Sequence, residues 1–313
     1  MALSTFCGER YIEEQLESLT AQEKKPDRIY IRDDGSTDKT VQIIRTFAEK
    51  HHEIKWDIRE NTQNKGWKKN FHDLILDVEE DLIFLCDQDD IWQPEKISVM
   101  TDTLRKHPKM ELLSSDYEPI YMDNASTIAS HYTIKGTDHV QQLEFDKRFM
   151  YVLRPGCTYA VKREFCQEIA PYWDDTIPHD AMLWRFSLIR DSGYIIREPL
   201  IKWRRYQAST SSKYYKGKAE ESEADLRLKS IRKSIDSHLT FINTAQKYIE
   251  NHPINKEKEK IIAEQKTFEK KYRQAIETGS IYQLLKLGIT YREFFLSERT
   301  IFGDIAMMVT SKG

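Results

Sequence analysis

Up to about residue 110, short apolar runs of β type alternate with stretches whose apolar residues recur at helical spacing, the pattern of an α/β sheet built from parallel crossovers. Leu3 to Phe6 reads as the end of a first strand, as though the chain enters midway along it. Ile12, Leu16 and Leu19 then fall on one helical face between Tyr11 and Gln22, and Pro26 stops that helix before a strand from Arg28 to Arg32. A second helix is expected after Ser36 to Asp38, which carry N-cap chemistry, with Val41, Ile44 and Phe47 turned inward. A strand from Ile54 to Ile58, a helix from Trp67 to Leu76 and a strand from Leu82 to Cys86 complete the unit.

Between about 110 and 212 the texture changes to mixed strands and turns, including Glu111 to Ser115, Thr158 to Val161 and Tyr194 to Ile196, and this half is expected to extend the same sheet. After a polar stretch, Ser209 to Lys218, nothing reads as strand. Ala219 to Glu250 and Lys256 to Glu277 read as long helices broken at Asn251, His252 and Pro253. The domain expectation is therefore 1–212 and a helical region over 213–313. An apolar series in the tail, Ile281, Leu284, Leu285, Leu287, Phe294, Phe295, Ile301, Phe302, Ile305 and Met308, suits packing on a neighbouring surface, a twin subunit included, or shallow contact with a membrane interface. Tyr214 and Tyr215 are candidates for stacking on a sugar.

Composition narrows the class. With 39% hydrophobic and 32% charged residues the chain is globular, and a net charge of -3 argues against a phosphate-tracking surface for nucleic acid. No apolar run is long enough to cross a bilayer, so the expected location is the cytosol. Residues 216–275 hold fourteen Lys or Arg against ten Asp or Glu; solvated helical faces explain this excess, and attraction to an anionic surface is the sharper alternative. The four cysteines, Cys7, Cys86, Cys157 and Cys166, have no metal-ligand spacing and read as reduced thiols.

The sharpest local signal is Phe84-Leu85-Cys86-Asp87-Gln88-Asp89-Asp90-Ile91-Trp92, where an apolar strand runs into three carboxylates. Ligands of open parallel sheets bind beyond the carboxyl ends of strands, and acids there can hold a divalent cation against a diphosphate. Asp87 and Asp89, at alternate positions, suit that work, while Asp90 suits the N-cap of a helix beginning near Pro94. A second acidic strand end, Asp33-Asp34-Gly35-Ser36-Thr37-Asp38, suggests one shared crevice, in which a carboxylate accepts from a base N–H or a ribose hydroxyl. Asn64-Lys65-Gly66-Trp67-Lys68-Lys69-Asn70 adds a glycine turn, amides and ammonium groups near where phosphates would lie.

Taken in order, these motifs resemble the inverting glycosyltransferases of family 2, which have the GT-A fold. Thr5 to Leu19 resembles the family's opening Thr-Tyr-Asn-Gly segment and first helix, with Cys7 in place of Asn. Asp33 to Ser36 is similar to its Asp-Asp-Gly-Ser turn, Asn64 to Asn70 to its Asn-x-Gly-x-x-x-Asn stretch, and Asp87 to Trp92 to the Asp-Gln-Asp-Asp-x-Trp form found in its bacterial rhamnosyltransferase-like branch. Further along, Pro155 to Thr158 resembles a Gly-Cys-Thr turn on the acceptor side, and Pro178-His179-Asp180 the pair whose Asp is the catalytic base. Trp203-Arg204-Arg205-Tyr206-Gln207-Ala208-Ser209 aligns with a segment in which Tyr206 replaces a metal-binding or diphosphate-binding His, and a phenol is a poor ligand for Mg²⁺.

The resemblance implies a GT-A α/β fold, a mixed and mainly parallel sheet flanked by helices, with residues 1–110 as the nucleotide-binding half and 111–212 as the acceptor-binding half. It implies Asp180 as base and Asp87 and Asp89 as ligands of Mg²⁺ or Mn²⁺. The implied donor contacts are Thr5, Phe6, Glu9, Asp33, Asp34, Asn64, Gly66, Lys69, Asn70, Asp87, Gln88 and Arg204. Trp92, Gly156, Cys157, Thr158 and His179 fall on the acceptor side. The expected activity moves a sugar from a nucleotide-sugar donor, favoured as dTDP-rhamnose, to a glycan, glycoprotein or lipid-linked acceptor in a bacterial surface polysaccharide or glycoconjugate. The expected setting is the cytosol or the inner face of the plasma membrane, with peripheral contact or self-association through the C-terminal helices. Rival readings are a UDP-linked galactose, glucose or N-acetylglucosamine donor, a nucleotidyltransferase, and a non-catalytic scaffold.

Overall fold

The computed structural model describes residues 1–122, 134, 136–206, 223–296 and 298–310. The polar stretch 209–218, the segment 207–209, Tyr214, Tyr215 and the side chain of Met308 lie outside the described residues. Contacts divide the chain into two compact units, one made of Met1–Glu144 and Val152–Arg205, the other of Phe145–Tyr151 and Tyr206–Gly313.

In the first unit the expected alternation is present. Strands β1 (Ala2–Thr5), β2 (Arg28–Asp33), β3 (Lys55–Glu60) and β4 (Leu82–Cys86) alternate with helices α1 (Ile12–Thr20), α2 (Thr40–Lys50) and α3 (Trp67–Asp77). Then come β5 (Ile91–Trp92), α4 (Lys96–Lys106), β6 (Leu112–Tyr121), β7 (Val140–Gln142), β8 (Tyr159–Lys162), α5 (Arg163–Ile169), α6 (His179–Ile189) and β9 (Gly193–Arg205). The sheet order is β3-β2-β1-β4-β8-β6-β9-β5, with β7 beside β9. The β3-β2-β1-β4 half is parallel throughout, while β8 joins both β4 and β6 antiparallel and β6 runs parallel to β9. This is an open mixed sheet with flanking helices.

Hydrophobic periodicity accounts for the parallel half. Ile12, Leu16 and Leu19 on α1, Ile44 and Phe47 on α2, and Leu3, Ile29, Ile31 and Phe84 on the strands join one buried cluster. Two local expectations change. The N-cap position before α4 is Glu95, whose side chain makes no capping bond, because Asp90 is drawn inward to accept the Arg204 N–H at 3.0 Å. Helix α6 starts at His179, behind Pro178, which puts Asp180 in its first turn. Strands β6 and β9 outrun the short segments expected for them, because their outer ends carry polar residues that periodicity does not mark.

The second unit is helical: α7 (Glu223–Asn251), α8 (Lys256–Thr278), α9 (Ile281–Thr290) and α10 (Glu298–Thr310). Asn255 caps α8 by accepting the Glu257 N–H, and Gly279 ends it in the left-handed region at φ 61°. The apolar tail divides: Leu284, Leu287, Phe294, Phe295 and Ile301 pack with Phe268 and Tyr272, whereas Leu285 and Phe302 are exposed. Among the described residues no helix is long and apolar enough to cross a membrane.

Asn70 ties three segments of the parallel half together. Fully buried, it donates to Ser4 Oγ and the Arg32 carbonyl, both at 2.8 Å, and accepts from Asn61 Nδ2 at 2.8 Å. Asn70→Ala takes this donor from Ser4 Oγ and the Arg32 carbonyl in a dry interior and should cost about 2–4 kcal/mol. A urea unfolding midpoint equal to that of the parent protein would contradict this.

Candidate active site

Parallel pairing brings the carboxyl ends of β1, β2 and β4 to one edge, and the loops that leave them are cross-linked. Asp33, 1% exposed, accepts from Thr5 Oγ1 at 2.7 Å, from Ser36 Oγ at 2.6 Å and from the Ser36 N–H at 2.7 Å. Gln88 spans the loop after β1, accepting the Phe6 N–H at 2.8 Å and donating to the Phe6 carbonyl at 3.1 Å, which leaves the Phe6 ring 47% exposed. Cys7 follows in the left-handed region, φ 47°, with its N–H on Ser36 Oγ. Asn tolerates that conformation better than most residues, which gives a physical reason for the residue that the family usually carries there.

Asp34 organises the next wall. Its Oδ1 accepts from Asn61 Nδ2 at 2.9 Å and the Lys65 N–H at 2.8 Å, and its Oδ2 accepts the Gly66 N–H at 2.8 Å. Asn64 donates to the Asp34 carbonyl, and Gly66 enters α3 at φ 86°, a conformation that favours glycine. The carboxylates of Asp33 and Asp34 are thus engaged inside the protein, where they shape the loops. Asn70 is likewise interior.

Beyond β4 the acids meet the turn before β8. Donor atoms of Asp87, Asp90 and Cys157 lie within 4.8 Å of one another. Burial, followed by the charges of Asp90, Asp89 and Asp180, pushes Asp87 well above the usual carboxylate range. Burial, reinforced by Asp89, pushes Asp90 up to about 7. Asp89 is half-buried beside this set. Beneath it Lys96 is fully buried, donates to the Cys157 carbonyl at 2.8 Å and sits 4.1 Å from the centre of the Trp92 ring. Burial lowers the Lys96 ammonium to about 8 against the pull of the surrounding negative groups.

The start of α6 closes the site. His179, 5% exposed, stacks on Phe71 of α3 with ring centres 3.9 Å apart, and Trp67 meets it edge to face at 6.1 Å. A Cβ at Gly156 would come within 2.6 Å of His179 Nε2 and 3.1 Å of Asp180 Cβ, so only glycine lets the turn approach the helix. The segment before α6 is fastened to α3 through Asp175, which lies 3.3 Å from Lys69 Nζ and 3.1 Å from His72 Nδ1, and through a bond from Lys68 to the Thr176 carbonyl. Lys69 is further held by Asp73 at 2.6 Å. Gly156, which abuts Asp180, adjoins Cys157 of the acid set, so Asp180 lies beside that set and its charge is felt by Asp87.

Several expected contacts lie elsewhere. Arg204, 6% exposed, pairs with Glu14 at 2.6 Å and lies 4.4 Å over Tyr11, so its guanidinium is committed to α1 and not free to clamp a phosphate. Trp92, 2% exposed, supports the site from below instead of facing an acceptor. Thr158 is buried, bonding to the Pro155 carbonyl at 2.7 Å, and Glu9 is exposed, accepting the Lys39 N–H at 3.0 Å. Sequence reasoning missed Lys96. The available signal was its register with Met100 and Leu104, which places a lysine on the buried face of α4.

Comparison with known proteins identifies the lineage. Residues 3–155 match the family described as glycosyl transferase family 2. The dTDP-rhamnosyl transferase RfbG of Shigella flexneri is 30% identical over 223 residues, covering 66% of this chain and 72% of that protein. The chain belongs to glycosyl transferase family 2. An uncharacterized glycosyltransferase of Rickettsia typhi, RT0329, is 26% identical over 216 residues, 67% of this chain and 64% of that protein. The fold matches residues 1–349 of S. aureus TarS in complex with UDP at a TM-score of 0.57, with 14% identity and coverage of 99% of this chain and 90% of that one. It also matches the mannosyltransferase PcManGT of Pyrobaculum calidifontis, in complex with GDP-Man and Mn²⁺, at a TM-score of 0.51, with 14% identity and coverage of 99% and 84%. The family 2 glycosyltransferase therefore has the expected GT-A fold, and the nucleotidyltransferase and scaffold readings fall away.

Burial depresses His179 to about 4 although the Asp180 charge opposes this, so the imidazole is neutral in the folded protein at pH 7. Between about 6.5 and 4 the unfolded chain binds the proton more readily than the folded one. This contribution should therefore cost stability as pH falls through that window, by up to about 3 kcal/mol. Urea titrations of the parent and His179→Gln at pH 7 and pH 4.5 measure it, and an equal acid loss in both would remove His179 as the cause.

Proposed function

We propose that this family 2 glycosyltransferase transfers rhamnose from dTDP-rhamnose, with inversion, to a hydroxyl of a glycan, glycoprotein or lipid-linked acceptor for a bacterial surface polysaccharide or glycoconjugate. The observation that carries the reaction is the position of Asp180 against Gly156, the chain neighbour of Cys157 in the acid set at the end of β4. The donor assignment is supported by the 30% identity to a protein named as a dTDP-rhamnosyl transferase.

In this reading Asp180 accepts the proton of the incoming hydroxyl as the new bond forms between that oxygen and the anomeric carbon. The bond from the anomeric carbon to the phosphate oxygen breaks on the opposite face, and the pair of electrons leaves with the nucleoside diphosphate. Neutral His179 holds Asp180 in place by filling the space between Phe71 and Gly156, and adds no charge beside the base. The exposed ring of Phe6 and the Asn64 to Gly66 turn form the donor wall, positioned from behind by Asp33 and Asp34.

The donor set suits a divalent cation: Asp87 and Asp90 offer hard oxygen ligands, and Asp90 Oδ2 is buried with no hydrogen-bond partner. Asp89 flanks the set, and the Cys157 thiol, held protonated by burial and by the Asp90 and Asp87 charges, is a poor partner for a hard ion. Bound there, Mg²⁺ or Mn²⁺ would supply positive charge against the diphosphate. Work at the inner face of the plasma membrane is consistent with this assignment, since lipid-linked acceptors are held there.

The test is a donor panel of dTDP-rhamnose and UDP-linked galactose, glucose and N-acetylglucosamine, scored for nucleoside diphosphate release with acceptor. Only dTDP-rhamnose should turn over efficiently, and preference for a UDP-sugar would overturn the donor assignment. Asp180→Asn should lower kcat by about 10²–10⁴-fold while dTDP still raises the Tm. Turnover within a factor of about three of the parent would remove Asp180 from the role of base.

A further inference from the structure

Strands β6 and β9 run past the acid cluster as a parallel pair, and their outer ends carry an aromatic corner that the reaction scheme leaves unused. Tyr117 and Trp203 meet with ring centres 5.0 Å apart and planes at 75°, and each residue is half-buried. The Arg205 guanidinium lies 4.4 Å from the centre of the Trp203 ring. Beside the rings, Arg154, only 7% exposed, directs Nε at 2.8 Å and Nη2 at 2.6 Å onto one oxygen of Asp116, Oδ1. Among the described residues no donor binds Oδ2, and the Asp116 side chain is 28% exposed. A buried guanidinium thus fixes the direction of a carboxylate oxygen that reaches solvent.

The position of this corner gives it meaning. Arg154 leads through Pro155 to Gly156, which abuts Asp180. Trp203 precedes Arg204, whose N–H is held by Asp90. The corner is therefore one or two residues along the chain from the groups on both sides of the reaction centre, at 3.8 Å per step. An aromatic surface beside an oriented carboxylate matches a pyranose, whose C–H face is apolar and whose hydroxyls are donors. The carboxylate, aimed by Arg154, accepts from such hydroxyls, while the Arg205 guanidinium lies over the aromatic surface beside it.

We propose that Tyr117, Trp203 and Asp116 form the subsite for a pyranose of the acceptor, with Arg154 as the positioning residue that aims Asp116. This deepens the proposed function and rests on its assignment of Asp180 to the acceptor side. Sugar specificity on that side then depends on which hydroxyl faces Asp116 Oδ2.

Saturation-transfer NMR on the full chain with dTDP and Mn²⁺ tests the proposal, using methyl glycosides of rhamnose, galactose, glucose and N-acetylglucosamine at about 20 mM, a concentration suited to weak single-ring binding. At least one glycoside should receive saturation on its ring C–H protons, and the signal should fall about fivefold or more in Trp203→Leu and in Asp116→Asn. Asp116→Asn keeps the shape of the side chain and guards against a folding defect in the tryptophan variant. The Tm increase given by dTDP should be unchanged in both. Equal signals in the parent and both variants would overturn the subsite, as would no saturation of any glycoside by a chain that still binds dTDP. Sugar signals that depend on Trp203 and Asp116 in a chain that ignores dTDP would support the subsite and sink the donor assignment instead.

Discussion

Negative charge gathered in a dry place is the constraint around which the first unit is built. Asp87, Asp89, Asp90 and Asp180 act on one another or on a shared neighbour, and burial raises the cost of charge on Asp87 and Asp90. The chain moderates this repulsion with a proton held high on Asp90, a backbone N–H from Arg204, and the buried Lys96 ammonium. Lys96 also holds the Cys157 carbonyl, so the compensating charge fixes the turn that faces the helix of Asp180. Electrostatic compensation and positioning therefore come from the same side chain.

A division of labour among the carboxylates follows. Asp33 and Asp34 accept several donors from the loops after β1, β2 and β3, and so behave as mortar. After β4, Asp90 spends one oxygen on the Arg204 N–H and keeps Oδ2 buried without a hydrogen bond, which leaves capacity for a ligand. Acidity at two strand ends has two physical meanings, and only the hydrogen-bond partners tell them apart.

The parallel half was legible because its elements obey simple periods: β4 matches its expected bounds, and α1, α2 and α3 match within a few residues. The motif order pointed to the family and to the fold. Roles within the motifs were less legible, because they depend on burial and on partners distant in sequence. Arg204 looks like a phosphate clamp until Glu14, which is 190 residues away, claims it. Trp92 looks like a contact surface until β5 pairs with β9 and α4 covers it. Lys96 is invisible to the eye that expects lysines outside. The polar outer ends of β6 and β9 carry neither a period nor a motif, so the Tyr117 and Trp203 corner could be found only in three dimensions.

The acid cluster draws its parts from the end of β4, from Cys157 and from the backbone of Arg204, segments that are far apart along the polypeptide. Only its carboxylates are local in sequence; the full set comes into being once β8 has docked on β4 and β9 has docked on β5 and β6. Before then the contiguous acids Asp87, Asp89 and Asp90 lack the Cys157 turn and the Arg204 N–H that face them in the finished sheet. The surroundings that tune these acids are thus a product of the completed sheet and not of the motif that carries them.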